Sequence, residues 1–531
     1  MAVPVSAGGA SVVTPREAAV LALNVAGPVL VPDDDAYGGE CTGYNTARAR
    51  RPAVIVGATS PYDISSAIRF AGPRGLPVGV LATGHGTPRA GRGAVLVTTK
   101  RMSAVTIDLA ARVARAEAGA RWQQVIDAAA PYGLAPLNGS SAQVGVVGYT
   151  AGGGLSPTLG RSRGWAADHV RAIEIVTADG QLLRATDERE SELFWAVRGG
   201  KDNFGIVTAM EFDLFEVQRL YGGALYFPGE RAADVLHTYR EWAATLPEEM
   251  TASVALLRLP PLGVVPQPLR GKLTVHVRIA YLGSAEDGAR LVAPLRELGP
   301  AIIDSVAEMP YQDVGAIHAE PPVPLPVHDG SVRLGALPEA AIDAILRSAG
   351  PYADCPLAMV ELRQLGGALG RAPDHPNAVA GRDAAFQVYC GGVGGSIVAP
   401  FINDGMDELF RELGPWSIPE GTLNYQCGPE PEPETVRATF GKDVYDRLTM
   451  AKVSYDPENR FRVNHNIPPA RLPGGRPRRP AFRARPCPSG VHSALNARRC
   501  TGGTDRQQMR GPRWTSDLPF RRARTTTFGA T

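Results

Sequence analysis

NGSSAQVGVVGYTAGGG, residues 138–154, carries six glycines, at positions 139, 145, 148, 152, 153 and 154. A helix or strand of that composition is weak, because glycine gives up the most backbone freedom and brings no side chain to pack. A loop whose backbone N–H groups come close to an anion accounts for it better. A second stretch of the same kind stands upstream: VLATGHGTPRAGRGAVLV, residues 80–97, with His85 between Gly84 and Gly86 at the mouth of an apolar strand. An imidazole placed there reads as a base, an anchor or a core side chain until its neighbours are known.

The surroundings of the two loops are α+β. PAVIVGA (52–58), LPVGVLA (76–82) and AVLVTT (94–99) are short apolar runs of strand type. Between the first two a helix is predicted: Ser60 can cap it, Pro61 suits its first turn, Asp63 favours its positive end and Gly75 ends it. Residues 104–120 predict a hairpin and 121–134 a helix ending at Gly133. Residues 169–185 predict a hairpin turning at Asp179–Gly180. Residues 192–215 give a helix, a glycine turn and a long strand. From 216 the texture changes. RLYGGALYF and LTVHVRIAYLG alternate as half-solvated antiparallel strands do, and RAADVLHTYREWAATL and AEDGARLVAPLREL are amphipathic helices.

At 531 residues the chain is too long for one compact core, so two domains are expected. The net charge of +2 hides two populations. Residues 471–531 hold fourteen arginines, no lysine and two acids, a charge of +12. The first 470 residues then carry −10. The tail is rich in arginine and proline without periodicity, and is expected to be disordered. A nucleic-acid arm is the other reading, but the interleaved aromatics of single-strand binders are missing. The six cysteines show no CxxC pairing, which argues against a structural zinc or a disulfide scaffold. No run of eighteen apolar residues predicts a membrane span, and the first thirty residues lack a basic leader, so a cytoplasmic protein is expected.

The common nucleotide and hydrolase motifs are missing: there is no GxGxxG after a first strand, no GxxxxGK[ST], no GxSxG and no HExxH. Two glycine-rich loops in one α+β domain instead suggest a single elongated ligand with a pyrophosphate, such as FAD. The ordered set RPAVIVGATSPYDISSAIRFA, GLPVGVLATGHG, GSSAQVGVVGYTAGGGLSPTLGRSRGWAADHV, ELFWAVRGGKDNFGIVT, ELRQLGGAL, NYQC and YDPENRFRVNHNI resembles the FAD-linked oxidases. Their flavin domain is of the vanillyl-alcohol-oxidase (PCMH) type, and the likeness is to their berberine-bridge-enzyme-like branch. It extends over residues 20–470. It implies a two-part FAD-binding domain built from both ends of the chain, with an antiparallel sheet, helices on one face, holding substrate over the isoalloxazine. The implied boundaries are 20–215 for the FAD domain, 216–425 for the substrate domain, 426–470 for the returning segment and 471–531 for the tail.

Carried over residue by residue, the resemblance makes His85 the histidine that in many relatives bonds covalently to the flavin. Gly84, Gly86 and Thr87 fall in the pyrophosphate loop. Gly139, Ser140, Val144, Gly145, Gly148, Gly152, Gly153 and Gly154 are expected to line the diphosphate and ring. Ser141 stands where many relatives have a second, cysteinyl link, so a single link through His85 is expected; a non-covalent histidine beside the flavin is the alternative. Leu155 replaces a tyrosine often found after the three glycines. Gly205, Ile206 and Val207 are expected near the adenosine half, and Asn464 and Asn466 near the flavin, with His465 facing away by strand alternation.

For the chemistry, an alkylated ring is more electron-poor and a tether fixes its position. Tyr425 is the candidate base, made phenolate-like by a neighbour such as Arg363; Gln364, Glu361 and Tyr389 are the other polar candidates. The expected activity is transfer of hydride from an alcohol, a sugar or a natural-product intermediate of secondary metabolism, with oxygen as acceptor and hydrogen peroxide as product. A dehydrogenase with another acceptor and a decayed flavin-binding protein are the rival readings. A small molecule and oxygen are the expected partners. No nucleic acid, no membrane and no metal is expected, and the oligomeric state is open.

Overall fold

The computed structural model describes residues 13–86, 91, 93–425 and 432–471. Thr87, the end of NYQC and the tail beyond Arg471 lie outside the described residues.

Three apolar runs near the amino end become the three longer strands of a four-stranded sheet, in the order Val29–Leu30, Val54–Gly57, Val95–Thr98, Val78–Leu81. The last three are parallel, and Val54–Gly57 and Val95–Thr98 are buried along their whole length. Continuous apolar sequence is what a parallel strand covered on both faces requires. The helix Pro61–Ala71 covers one face with Ile64, Ala67 and Ile68. Ser60 stands at its N-cap but makes no side-chain cap; the Asp63 carboxylate instead accepts from the backbone N–H groups of Ala26 and Thr59 at 2.7 and 2.8 Å.

A second sheet is antiparallel, in the order Val105–Asp108, Val113–Glu117, Ile206–Asp213, Val170–Val176, Leu182–Ala185. Both predicted hairpins are present. The second turns at Gly180, whose φ of +79° is the left-handed turn that Asp-Gly favours.

The third sheet has nine strands, with its long members in the order Arg219–Pro228, Leu273–Tyr281, Met250–Arg258, Met359–Gln364, Phe386–Val393, Val327–Leu334. Alternation divides it into two faces. Leu225, Val277, Val254, Leu362 and Val388 point into a core shared with the helices Ala232–Ala243, Ala285–Arg296, Glu339–Ala349 and Ala399–Leu413. The other face is polar.

The carboxyl end returns to the first sheet. After the helix Lys442–Tyr455, the backbone N–H of Val78 donates to the Arg460 carbonyl at 2.9 Å, and Phe461 enters the core of the first sheet. A fully buried ion pair holds this return: Lys452 lies 2.8 Å from Asp456 and donates to the carbonyls of Asn203 and Phe461. The Asp456 carboxylate accepts from the N–H groups of Arg460 and Phe461.

Candidate active site

The strand Val78–Leu81 delivers the chain into the loop of His85. The imidazole stacks on Tyr44, ring centroids 4.0 Å apart and 10° from parallel, and its Nδ1 is 3.0 Å from Thr83 Oγ1. Its Nε2 is buried without a hydrogen-bond partner. Burial, helped by Arg121, lowers the imidazole to about 4, so His85 is neutral at physiological pH. Gly84 explains its own presence: at φ +73° its backbone passes so close to Gly43 that a Cβ would stand 2.6 Å from the Gly43 Cα. Thr83 joins the two loops, because its Oγ1 also accepts from the Gly145 N–H at 3.2 Å.

The second glycine-rich stretch is not loop throughout: Val146–Ala151 is a short helix with Gly145 at its N-cap, and Gly148 within it is exposed with open space around it, whereas Gly145 packs against Thr83. Val144 is half-buried and pairs its backbone with Trp122. Ser141 is buried, its Oγ accepting from the Gln143 N–H at 3.4 Å, and Gly139 lies against the Tyr149 ring. The three glycines 152–154 have protein on the side a Cβ would take: Asn424 at Gly152, Thr422 and Trp165 at Gly153, Ala166 and Tyr149 at Gly154. Their small size lets this turn meet the 422–425 segment, and Asn424 donates to the Tyr149 carbonyl at 2.7 Å. That is a packing reason for the triple glycine. Gly205, Ile206 and Val207 likewise lie in packed strand core: a Cβ on Gly205 would meet the Val176 carbonyl, and Ile206 and Val207 are buried in the apolar cores.

The returning segment is not a strand at 461–467, so alternation does not turn His465 away from its neighbours; Asn464 and His465 are both buried. Asn464 Nδ2 donates to the Asp202 carbonyl at 3.2 Å. The Oδ1 atoms of Asn464 and Asn466 are buried without partners.

The polar face of the large sheet centres on Glu361, which is fully buried. Its carboxylate is 2.5 Å from Arg278 and 2.8 Å from Arg363, accepts from Ser253 Oγ at 2.8 Å, and lies 3.8 Å from His318. Burial pushes Glu361 up, but Arg278 and Arg363 outweigh it and hold the carboxyl well below its ordinary range. Burial keeps His276 and His318 neutral. Arg363 also donates to Tyr425 Oη at 2.9 Å. Tyr425 packs edge-on to Tyr389 and against the small apolar cluster of Leu155, Trp165, Leu365 and Leu369.

Two sequence expectations change here. Burial raises the Tyr425 phenol above its ordinary value in spite of Arg363, so Tyr425 is not a resting phenolate. Gln364 stands next to Arg363 in the chain and therefore on the opposite face: its Nε2 donates to the Ala243 carbonyl at the end of a covering helix, 2.5 Å away. Sequence reading missed Tyr149, Arg278, His276, His318, Arg333 and Gln387. Apolar and polar residues alternate visibly in LTVHVRIAYLG, so the parity of His276 and Arg278 was available as a signal; Tyr149 had none.

Whether these residues suit FAD is tested by their unfilled polar atoms. His85 Nε2, Tyr149 Oη and the Oδ1 atoms of Asn464 and Asn466 are buried without partners. Such groups destabilise a fold by roughly 1–3 kcal/mol each unless a ligand completes them. Asparagine oxygens accept from ribityl hydroxyls and ring N–H groups, so the donor and acceptor set suits the cofactor. Among the described residues no group of three or more histidine, cysteine, aspartate or glutamate side chains could hold a metal ion, and no helix is long and apolar enough to cross a membrane.

Comparison with known proteins agrees with this arrangement. Residues 52–186 match the FAD binding domain family and residues 423–468 the family described as berberine and berberine like. (R)-6-hydroxynicotine oxidase of Paenarthrobacter nicotinovorans is 30% identical over 468 residues, covering 84% of this chain and 98% of that one. The crystal structure of 6-hydroxy-D-nicotine oxidase from Arthrobacter nicotinovorans superposes with a TM-score of 0.70 at 25% identity, over 84% of this chain and 98% of the other. A xylooligosaccharide oxidase from Myceliophthora thermophila, solved with xylobiose, shares the fold with a TM-score of 0.72 at 20% identity, over 84% and 98%.

Proposed function

Because this chain belongs to the FAD-linked oxidoreductases with a berberine-bridge-like carboxyl-terminal region, we propose that it is an oxidase acting at a C–H bond beside oxygen or nitrogen. When bound, FAD supplies a two-electron acceptor that oxygen can reoxidise, giving hydrogen peroxide. The observation that carries the reading is the partly buried contact between Arg363 and Tyr425 Oη on the polar face of the sheet, beside the glycine turn of the flavin domain. Tyr425 keeps its proton and orients a substrate heteroatom. Arg363 donates to the phenol oxygen and fixes its direction, so that the Tyr425 O–H is free to donate to that heteroatom.

His85 is the covalent anchor in this reading. The reading takes the tautomer in which Nδ1–H donates to Thr83 Oγ1; burial keeps the ring neutral, and in that tautomer Nε2 is the nitrogen with a lone pair to offer. Ser141 supplies no thiolate, which leaves one link. Two measurements test the proposal. Acid precipitation of wild type is expected to leave the yellow colour in the pellet, and His85→Ala to release it to the supernatant. Hydrogen peroxide is expected when alcohols, amines and sugars are offered in air. Turnover with a dye acceptor and none with oxygen would replace the oxidase by a dehydrogenase, and colourless purified protein would end the flavin reading.

A further inference from the structure

The polar face of the large sheet carries a row that crosses five strands. Arg278 is paired with Ser253, Ser253 with Arg363, Arg363 with Gln387, and Gln387 with Arg333. All five side chains are buried. The row is rich in positive charge. Arg278 and Arg363 share the single carboxylate of Glu361. Arg333 is held by neutral groups, the carbonyls of Ala380 and Gly381 and the Thr422 hydroxyl. The other acids whose field reaches the row, Glu320 and Asp383, are half-buried and exposed, and make no ion pair with it among the described residues.

At the centre of the row the hydrogen bonding is incomplete. Arg363 uses Nη1 on Tyr425 and Nη2 on Glu361, and its Nε is buried without a partner. Gln387, directly opposite on the next strand, is fully buried with neither amide atom partnered. Opposed side chains on one face of a sheet have Cβ atoms roughly 4.5–5.5 Å apart, so both donors lie within reach of one small group. An excess of buried positive charge with two free N–H donors is complementary to a carboxylate.

We propose that Arg363 and Gln387 form a carboxylate-binding subsite, and that the substrate is an organic acid whose anionic end docks there beside Tyr425. The proposal rests on the oxidase reading for its place in the reaction, but binding can be measured without turnover. The test titrates the purified holoenzyme with benzoate and with benzamide, by calorimetry and by perturbation of the flavin spectrum. Wild type is expected to bind benzoate about tenfold or more tighter than benzamide, the scale of one charge-assisted hydrogen bond. Gln387→Leu is expected to lose that preference, and Gln387→Glu, which sets a like charge against the ligand, to reverse it. Equal affinities in wild type would overturn the proposal, as would a preference for benzoate that persists in both variants with the flavin still bound. Should the selectivity hold while no compound reduces the flavin, the subsite stands and the oxidase reading falls; efficient oxidation of neutral sugars with no advantage for acids removes the subsite alone.

Discussion

At the scale of single residues the site is governed by what burial does to charge. His85 illustrates the sign. An imidazole lowered to about 4 in the fold, against about 6.5 in an unfolded chain, binds its proton less tightly when folded. Its contribution to stability is therefore present above about pH 6.5 and is lost as pH falls towards 4. If His85 is the anchor proposed above, flavin attachment needs the neutral ring and is expected to proceed undiminished in apo-protein down to about pH 5. Pellet colour after incubation with FAD at a series of pH values measures this, and a loss centred near pH 6.5 would contradict it. Tyr425 gives a second residue-scale prediction. Tyr425→Phe removes the oxygen that meets Arg363 and is expected to lower kcat by about a hundredfold, the scale of one hydrogen-bond donor fixed at the reacting centre, with little change in flavin content. Activity retained within a factor of two would remove Tyr425 from the chemistry. None of these shifts could be read from the residue types alone, because each depends on groups distant in the chain: Arg121 for His85, Arg278 for Glu361.

At the scale of elements, two glycine turns and one sheet parity place the site. The approach of Gly84 to Gly43 leaves no room for a methyl group, and φ +73° adds strain for any other residue. Gly84→Ala is expected to destabilise the fold by about 2–3 kcal/mol and to reduce flavin retention, measured by urea unfolding and by the flavin-to-protein absorbance ratio. Unchanged values would mean that the loop relaxes. Much at this scale was legible beforehand. The strands at 54–57, 78–81 and 95–98, both hairpins and the turn at Gly180 follow from apolar runs and from Asp-Gly. The triple glycine was legible as a turn but not in its purpose, since its partners Thr422, Trp165 and Asn424 come from elsewhere in the chain. Gln364 was misplaced because type and proximity to Arg363 were weighed before parity.

At the scale of the whole molecule, two stitches hold the flavin half to the rest. Near the amino end, Tyr44 and Asn45 donate their backbone N–H groups to the carbonyls of Thr83 and Gly84, while Thr46 donates to the Leu325 carbonyl and Leu325 to the Tyr44 carbonyl, just ahead of the strand Val327–Leu334 of the substrate sheet. Asn45 adds a bond to the Val327 carbonyl, and Arg48 pairs with Asp329 at 3.0 Å. Near the carboxyl end the buried pair Lys452–Asp456 fastens the return to the first sheet. Lys452→Met leaves the Asp456 carboxylate buried without its cation, and is expected to lower stability by about 3–5 kcal/mol. Urea unfolding measures this. The double change with Asp456→Asn is expected to recover part of the loss, and a single variant as stable as wild type would show that water reaches the pair.

The sequence by itself determined most of the strands, both hairpins, the loop of His85 and the family resemblance, because these depend on local periodicity, turn chemistry and motif order; the short helix Val146–Ala151 inside the second glycine-rich stretch it did not show. Tertiary structure alone decided which polar side chains of different strands stand side by side. Glu361 meets Arg278, and Arg363 meets Gln387, only through strand register. The protonation state of each is set by neighbours and burial that a linear chain does not display.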